Sequence, residues 1–138
     1  MSKNIKKTAV LIIAHGSREK ESNEAFLALV EKFRRTSSSA PEVVGAFLEI
    51  SSPDIPTGIE ECLASGAREI FIIPLMIFSG RHVTKDIPAF IQEARTKHNG
   101  ILFHYGTPLA DQPLMLELLK AQVVSLKKSI GWESSQEP

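Results

Sequence analysis

The most constraining stretch of this sequence is residues 70–86, IFIIPLMIFSGRHVTKD. Its first four residues, 70–73, are a continuously apolar, β-rich run without a polar face, which is typical of a central strand covered on both sides. After a second apolar stretch, a serine-glycine break precedes Arg81 and His82. We therefore expect a buried strand whose carboxyl end leads into a polar loop, the place where open α/β folds bind ligands.

The rest of the chain repeats the order of strand, loop and helix. Apolar runs predict further strands at residues 8–14, 42–49 and 101–105. Helical spacing of apolar residues predicts four helices, two of them over about 18–37 and 111–130. The expected inner faces are Phe26, Leu29, Val30 and Phe33; Ile55, Ile59, Cys62 and Leu63; Ile87, Phe90, Ile91 and Ala94; and Met115, Leu118, Leu119 and Leu126. This alternation predicts an α/β, flavodoxin-like, three-layer fold: a four-stranded parallel sheet with helices on both faces.

Size and charge narrow the possible partners. A chain of 138 residues fits one domain, residues 1–138, and we expect residues 1–7 and 133–138 to be flexible. Sixteen basic residues balance sixteen acidic ones, so no global field would recruit nucleic acid or an anionic membrane. Cys62, the single cysteine, is expected to be a packed thiol.

The amino terminus, with lysines before an apolar run, resembles the start of a secretory signal. The run is interrupted by His15 and Arg18 before it reaches the length of a signal core, and no small-residue cleavage site follows. No stretch approaches the roughly 20 apolar residues of a transmembrane helix. We expect a cytoplasmic protein.

Chemistry-bearing residues follow each predicted strand. His15 and Arg18 come after the first strand, Glu49 ends the second, Arg81 and His82 follow the third, and the fourth ends near His104. Because the carboxyl ends of parallel strands meet at one edge, His15, His82, Glu49 and the two arginines are expected to gather there. His104 is ambiguous, because the alternation of side chains along its strand could direct it into the helix layer. Neither a dinucleotide-binding glycine motif nor a phosphate-binding loop motif occurs in the sequence.

Each candidate also has an ordinary structural interpretation. His15 could end its strand with the ring bonded to a carbonyl, and His82 could be a surface histidine before a helix capped by Thr84. Glu49 could be a solvated carboxylate. His98 fits a surface residue that compensates a helix dipole. As a group, however, imidazoles on neighbouring loops can bind Co, Ni, Fe or Zn, or accept protons.

Three blocks of the sequence carry a further signal: residues 14–18 (AHGSR), residues 47–49 (FLE) with the SPDIPTGI that follows, and residues 74–88 (PLMIFSGRHVTKDIP). Together these blocks resemble the small sirohydrochlorin chelatases. These chelatases are the short form of the cobaltochelatase of anaerobic cobalamin synthesis, related to sirohaem ferrochelatases and archaeal nickel chelatases. The resemblance spans about residues 8–123.

The resemblance implies a lyase that inserts a divalent metal into sirohydrochlorin, in cobalamin or sirohaem-type porphyrin biosynthesis, and that works as a homodimer. Co²⁺ is the expected metal, with Ni²⁺ or Fe²⁺ as alternatives, and the ion is a substrate, with no permanently bound cofactor. The implied metal ligands are His15 and His82, and the implied catalytic residues are His15 and Glu49. The implied tetrapyrrole contacts are Glu49, Ile77, Phe78, Ser79, Gly80, Arg81 and His82.

Two other functions are compatible with parts of the pattern. A phosphohydrolase could use His15 as a nucleophile, but the arginine that histidine phosphatases carry directly before that histidine is replaced here by Ala14. A carrier could bind the same metal or tetrapyrrole without catalysing insertion, and the sequence does not distinguish it from an enzyme. Arg18 and Arg81 could hold substrate carboxylates in either case.

Overall fold

The computed structural model describes residues 7–36 and 42–133. Within these ranges the chain forms four strands and four helices in alternation. The strands are β1 (Thr8–Ala14), β2 (Glu42–Phe47), β3 (Glu69–Pro74) and β4 (Leu102–Tyr105), and the helices are α1 (Lys20–Thr36), α2 (Ile55–Ala64), α3 (Ile87–Lys97) and α4 (Leu114–Ser129). A π-helical turn, His82–Asp86, precedes α3, and a 3₁₀ turn, Leu109–Asp111, precedes α4. The predicted order of elements is confirmed.

The four strands form one parallel sheet in the order β2-β1-β3-β4. From β1 the chain moves to one side to form β2 and then returns to the other side for β3. This reversal is the topological switch point, and open α/β sheets place their ligand crevice there, outside the carboxyl ends of the strands. The segments after β1 and β3 therefore flank the expected crevice.

Helices cover the two faces of the sheet unequally. One face packs against α2 and α3, with Leu11, Ile72 and Ile87 at its fully buried centre. The opposite face packs against α1, where Phe26 and Val30 meet Phe47. Because successive strand residues point to opposite faces, the apolar run of β1 supplies both layers. The predicted three-layer α/β fold is confirmed.

The predicted inner face of α4 was wrong, because none of the residues of this helix is buried in the described chain. Two further predictions about burial were wrong in part. In β3, Ile70 and Ile72 are fully buried, but Phe71 and Ile73 on the other face remain 38% and 36% exposed. On α1, two of the four residues predicted to face the core, Leu29 and Phe33, are also exposed. The reason is common to both: α1 lies over β1 and β2, and no described helix covers the same face of β3 and β4.

Several element boundaries differ from the predicted ones. β2 ends at Phe47, so Glu49 lies two residues beyond the strand. The helical segment begins at the π-helical turn, and Thr84 lies inside that turn, where its hydroxyl donates to the carbonyl of Gly80 and does not cap a helix. His82 is therefore held by helical backbone and is not on a loop.

Asp54 caps α2, because its carboxylate accepts a hydrogen bond from the N–H of Thr57 at 2.9 Å. Hydrogen bonds from the side chain and backbone of Thr57 lower the pKa of Asp54 below its ordinary value. A lowered folded-state pKa means that this stabilisation is present above the unfolded-state pKa and is lost as the pH falls.

Cys62 is fully buried, and burial raises the pKa of its thiol to about 12, so the predicted packed thiol is confirmed. Across residues 7–36 and 42–133, no helix combines the length and apolar character needed to cross a membrane. The predictions of flexibility at 1–7 and 133–138 concern segments of which only Lys7 and Glu133 are among the described residues.

Candidate functional site

His15 is the first residue after β1, and the backbone around it holds it against the next strand's loop. The carbonyl of His15 accepts a hydrogen bond from the N–H of Glu49 at 3.1 Å, and the carbonyl of Ala14 accepts one from Leu48 at 2.9 Å. Parallel pairing thus continues past the ends of both strands. His15 and Glu49 are therefore positioned by backbone hydrogen bonds as well as by their side chains.

Gly16 makes this close approach possible. Its φ of +97° lies in a region that side chains with a Cβ rarely adopt. A Cβ at this position would also lie 1.9 Å from the backbone oxygen of Glu49, far inside van der Waals contact. The glycine of the first motif is thus required by backbone geometry and by the packing of the two loops.

A strained turn follows Glu49. The N–H of Ser51 donates to the carbonyl of Glu49 at 2.8 Å, which closes a three-residue turn around Ile50. Ile50 has a φ of +73°, unusual for a β-branched residue and costing on the order of 1–3 kcal/mol. Strain of this kind persists where the surrounding structure determines the conformation, and here it lies directly beside a candidate functional carboxylate.

His82 begins the π-helical turn, and two contacts fix that turn. The hydroxyl of Tyr105 donates to the carbonyl of Val83 at 2.8 Å, and the side chain of Val83 is buried. Burial also raises the pKa of Tyr105 to about 12, so the phenol stays protonated and remains a donor. Asp86 contacts the ring of His82, with 2.7 Å between Oδ2 and Nδ1.

The three candidate ligands converge. Nε2 of His15 lies 3.1 Å from Nε2 of His82 and 3.1 Å from Oε1 of Glu49. One potential ligand atom from each of the three residues lies within 4.8 Å of the others. The side chains are each about half exposed, at 45%, 43% and 51% for His15, His82 and Glu49. The prediction that strand-end residues gather at one edge is confirmed for these three.

Hydrogen bonds on the far sides of the two rings favour one tautomer for each histidine. Nδ1 of His82 faces the Asp86 carboxylate, and Nδ1 of His15 lies 3.1 Å from the carbonyl of Gly16. Both acceptors favour an N–H at Nδ1, which leaves each Nε2 with a lone pair. Two imidazole lone pairs and a carboxylate oxygen then face one another. Such a cluster attracts a cation, either a metal ion or a proton.

The other predicted substrate contacts lie beside this cluster. Ile77 and Phe78 are 53% and 75% exposed, unusual for large apolar side chains, and the three residues after them are also exposed. Arg18 and Arg81 are exposed in the segments after β1 and β3, and neither has an ion-pair partner among the described residues. The loop therefore presents apolar surface and free positive charge next to His82.

An open depression of about 340 Å³ adjoins His82. Its lining is Leu48, Glu49, His82, Asp86, Ala89 and Phe90. Two of these residues are acidic and none is a lysine or an arginine, so the depression favours cations. The candidate site thus has an acidic side and a basic, apolar side.

The remaining histidines lie elsewhere. His104 points to the sheet face away from α2 and α3, where its Nε2 lies 2.7 Å from Glu69 and its ring stacks on Phe71. His98 ends α3 and lies 3.1 Å from Glu60. Neither contacts the cluster. The bond of His98 to Glu60 agrees with the predicted surface role.

Asp86 and Tyr105 are site residues that sequence reasoning missed. Asp86 belongs to the third motif and falls four residues after His82, a spacing at which side chains share one helical face. That signal was available once His82 was placed in a helix. Tyr105 gave no such signal, because its contact with Val83 joins residues 22 positions apart.

Known proteins resemble this chain over most of its length. The CbiX family model matches residues 9–126. The sirohydrochlorin cobaltochelatase of Priestia megaterium is 35% identical over 115 residues, which cover 83% of this chain and 37% of the relative. The sirohydrochlorin ferrochelatase of the same organism is 32% identical over 115 residues, which cover 83% of this chain and 43% of the relative. The chain therefore spans well under two thirds of the length of these relatives.

A solved structure has the same fold. The sirohydrochlorin chelatase SirB from Bacillus subtilis subspecies spizizenii, in complex with cobalt, aligns with a TM-score of 0.78 at 31% identity. The alignment covers 86% of this chain and 50% of that one. The family match extends over most of the chain, and the resemblance drawn from the three motifs is confirmed. This chain belongs to the CbiX family.

Proposed function

We propose that this protein is a lyase that inserts a divalent metal ion into sirohydrochlorin, with Co²⁺ as the expected metal and Ni²⁺ or Fe²⁺ as alternatives. The observation that carries the proposal is the convergence of His15, His82 and Glu49 within 4.8 Å. Relatives named as cobaltochelatase and as ferrochelatase support the reaction class without deciding between the metals. The product would serve cobalamin or sirohaem-type porphyrin biosynthesis in the cytoplasm.

The separation of the two imidazoles supports a transfer site for a metal. An ion about 2.1 Å from each Nε2 would see two nitrogens 3.1 Å apart at an angle of about 95°. This angle suits neighbouring positions of a six-coordinate ion. Two imidazoles, with Glu49 adjacent, leave several coordination positions open. An ion held in this way can still leave for the four ring nitrogens, whereas a closed four-ligand site would retain it.

Metal insertion also releases protons, because a free-base ring loses two N–H protons as M²⁺ takes their place. Glu49 is 51% exposed and lies 3.1 Å from His15, so it can accept a proton and pass it to water. His15 can accept another once its Nε2 has released the metal. In this proposal His15 binds the metal and later accepts a proton, and His82 binds the metal. Glu49 accepts a proton and contacts the tetrapyrrole.

The two sides of the site suit the two substrates. Sirohydrochlorin carries many carboxylates, which the acidic depression would repel and which Arg81 and Arg18 would attract. We place the ring over residues 77–82, with Ile77 and Phe78 against its apolar surface. The cation would approach from the side of Glu49 and Asp86. Metal and ring would then meet at the histidine pair.

We also propose that the chain works as a homodimer. The two relatives from Priestia megaterium are more than twice as long as the region that matches this chain. A second copy of this chain could supply what the additional length supplies in those proteins.

The experiment that tests the function is an anaerobic absorbance time course of free-base sirohydrochlorin with each metal, with and without catalytic amounts of protein. We expect a protein-dependent spectral shift that continues over many turnovers, fastest with Co²⁺. A change that stops at one equivalent per site would identify a carrier and contradict catalysis. No change with any metal would contradict both functions.

Glu49→Gln is expected to lower the rate of insertion by about 10–100-fold while changing Co²⁺ affinity by less than about 3-fold. The amide keeps the shape of the side chain but cannot accept a ring proton. Turnover by absorbance and binding by calorimetry measure the two effects separately. Equal losses in both measurements would place Glu49 in the metal's coordination shell instead.

Asp86→Asn is expected to weaken Co²⁺ binding by about 10–100-fold, as loss of an outer hydrogen-bond partner does at other metal sites. An asparagine N–H donating to Nδ1 of His82 would favour a proton on Nε2, which would occupy the metal-binding lone pair. Nitrogen NMR shifts of His82 would report the tautomer, and Glu93→Gln on α3 is the control. Unchanged shifts and affinity would show that Asp86 does not position His82.

A further inference from the structure

The turn that carries His82 departs from α-helical hydrogen bonding. The N–H of Ile87 donates to the carbonyl of His82, five residues earlier, whereas an α-helix would direct it to Val83, four residues earlier. Residues His82–Asp86 therefore form a π-helical turn directly before α3. Turns of this kind are rare, occur mostly singly within helices, and are frequent at functional sites.

Pro88 explains why this turn does not close as an α-helix. A proline has no backbone N–H, and in a helix its ring clashes with the carbonyl of the residue four positions earlier, which here is Thr84. A wider turn ahead of Pro88 can relieve this clash. Because Pro88 lies in the first turn of α3, it constrains the π-helical turn and leaves the rest of α3 regular.

The same proline leaves the carbonyl of Val83 without a helical donor. The donor that an α-helix would supply, Ile87, is bonded to His82, and the donor that a π-helix would supply is Pro88. A carbonyl that is shielded from water and has no partner costs free energy, so such groups are nearly always satisfied by other means. Here the hydroxyl of Tyr105 donates to the carbonyl of Val83 at 2.8 Å.

Tyr105 reaches the turn from a rigid part of the fold. It is the last residue of β4, where it pairs with Ile72 of β3. Its half-buried side chain packs against the core layer shared by α2 and α3. The side chain of Val83, at the other end of the hydrogen bond, is buried as well. The bond therefore ties the π-helical turn to the sheet and not only to its own helix.

The direction of His82 depends on this turn. Closing the turn as an α-helix would remove one residue from it and rotate His82 by about 100° around the helix axis relative to α3. That rotation would carry its Nε2 away from Nε2 of His15, which lies at 3.1 Å. We propose that Tyr105 is a positioning residue for His82: its hydroxyl stabilises the π-helical turn and thereby sets the separation of the two imidazoles. The inference rests on the proposed function, in which both imidazoles bind the metal.

Tyr105→Phe tests the inference, because it removes the hydroxyl and keeps the ring. Without that donor, we expect the turn to sample α-helical closure, in which the N–H of Ile87 takes over the carbonyl of Val83. In the metal-free variant, nuclear Overhauser contacts between the rings of His15 and His82, whose centroids lie 4.6 Å apart in the wild type, should lose half of their intensity or more. Co²⁺ affinity measured by calorimetry should fall about 10-fold, as it does on loss of outer hydrogen-bond partners at other metal sites.

Ser65→Ala is the matched control. The hydroxyl of Ser65 also donates from a half-buried side chain to a helix carbonyl, that of Cys62, at 2.6 Å, but it lies at the end of α2, away from the cluster. Both variants should lower the urea midpoint of unfolding, whereas only Tyr105→Phe should change the ring contacts and Co²⁺ affinity. Unchanged ring contacts in Tyr105→Phe, or equal changes in Ser65→Ala, would overturn the proposal.

The two readouts separate this inference from the proposed function. Ring contacts are measured without metal, so they decide the role of Tyr105 even if the wild type fails to bind Co²⁺, a result that would contradict the proposed function alone. If the wild type binds Co²⁺ and Tyr105→Phe loses the ring contacts with its affinity unchanged, the turn does not position His82 for the metal and the inference is wrong.

A double-mutant cycle tests the role of Pro88. Pro88→Ala restores an N–H at position 88 and removes the ring clash, so the carbonyl of Val83 gains a backbone donor in either an α-helical or a π-helical turn. In that background Tyr105→Phe should shift the urea midpoint by less than half of its shift in the wild type. Equal shifts in both backgrounds would show that the carbonyl of Val83 does not need Tyr105 as its partner and would overturn the proposal. This cycle reads stability, so it remains decisive if Tyr105→Phe is too unstable for the binding measurement.

Discussion

His15→Ala is expected to lower kcat/KM for metal insertion by about 1,000-fold, equivalent to about 4 kcal/mol of transition-state stabilisation. The substitution removes the atom that lies 3.1 Å from both His82 and Glu49, so it removes a metal ligand and a proton acceptor together. The side chain is 45% exposed, and its loss should change the free energy of unfolding by no more than about 0.5 kcal/mol. The absorbance assay and urea denaturation measure the two quantities.

His82→Ala should give a similar loss, because the proposed metal site needs both imidazoles. The matched control is His98→Ala, which removes an imidazole that also contacts a glutamate but lies at the end of α3, away from the cluster. We expect its insertion rate to be unchanged. Global unfolding of the His15 or His82 variant would show that these histidines are structural, and full activity would exclude them from the reaction.

Gly16→Ala is expected to destabilise the fold by about 3 kcal/mol and to disrupt Co²⁺ binding as well. An alanine would have to adopt a φ of +97°, and its Cβ would lie 1.9 Å from the backbone oxygen of Glu49. Backbone cannot move aside as a flexible side chain can. Relief of the clash must separate the two loops and break the hydrogen bond from Glu49 to His15, which draws the cluster apart. Urea denaturation and calorimetry with Co²⁺ would measure both effects.

Gly100→Ala separates the two causes of the loss of stability, which are the unfavourable φ of an alanine and the clash of its Cβ. Gly100 has a similar φ of +83°, but a Cβ there would meet nothing within 4 Å. Its cost should therefore be the conformational penalty alone, about 1 kcal/mol, with no effect on Co²⁺ binding. If Gly16→Ala were no more destabilising than Gly100→Ala, the contact between the two loops would not be what requires the glycine.

Much of the candidate site was predictable because parallel strands obey a simple rule. Apolar runs located the strands, and in an α/β sheet the residues that follow adjacent strands lie at one edge. His15 and His82 follow β1 and β3, which are neighbours in the observed order, and β2 on the other side of β1 brings Glu49. The motif resemblance independently selected the same three residues. Their chemical roles remain predictions for the variants above to test.

The details that position these groups were not predictable, because they depend on contacts between residues far apart in sequence. The bond from Tyr105 to Val83 fixes the turn that carries His82, and no local pattern encodes it. The left-handed conformation of Ile50 also contradicts the preference of a β-branched residue, so local propensity would have placed a different turn beside Glu49.

By itself, the sequence determined the order of elements and the edge at which the chemistry gathers, since both depend on local hydrophobic periodicity and on the direction of parallel strands. Only the tertiary structure decided what each apolar surface packs against. The pattern of β3 predicted a strand covered on both faces, yet Phe71 and Ile73 are exposed. The pattern of α4 predicted a helix with a buried stripe, yet its apolar side chains are exposed in the described chain. A hydrophobic pattern indicates that a surface will be buried, because its exposure to water is unfavourable. The same pattern does not indicate which other surface will pack against it.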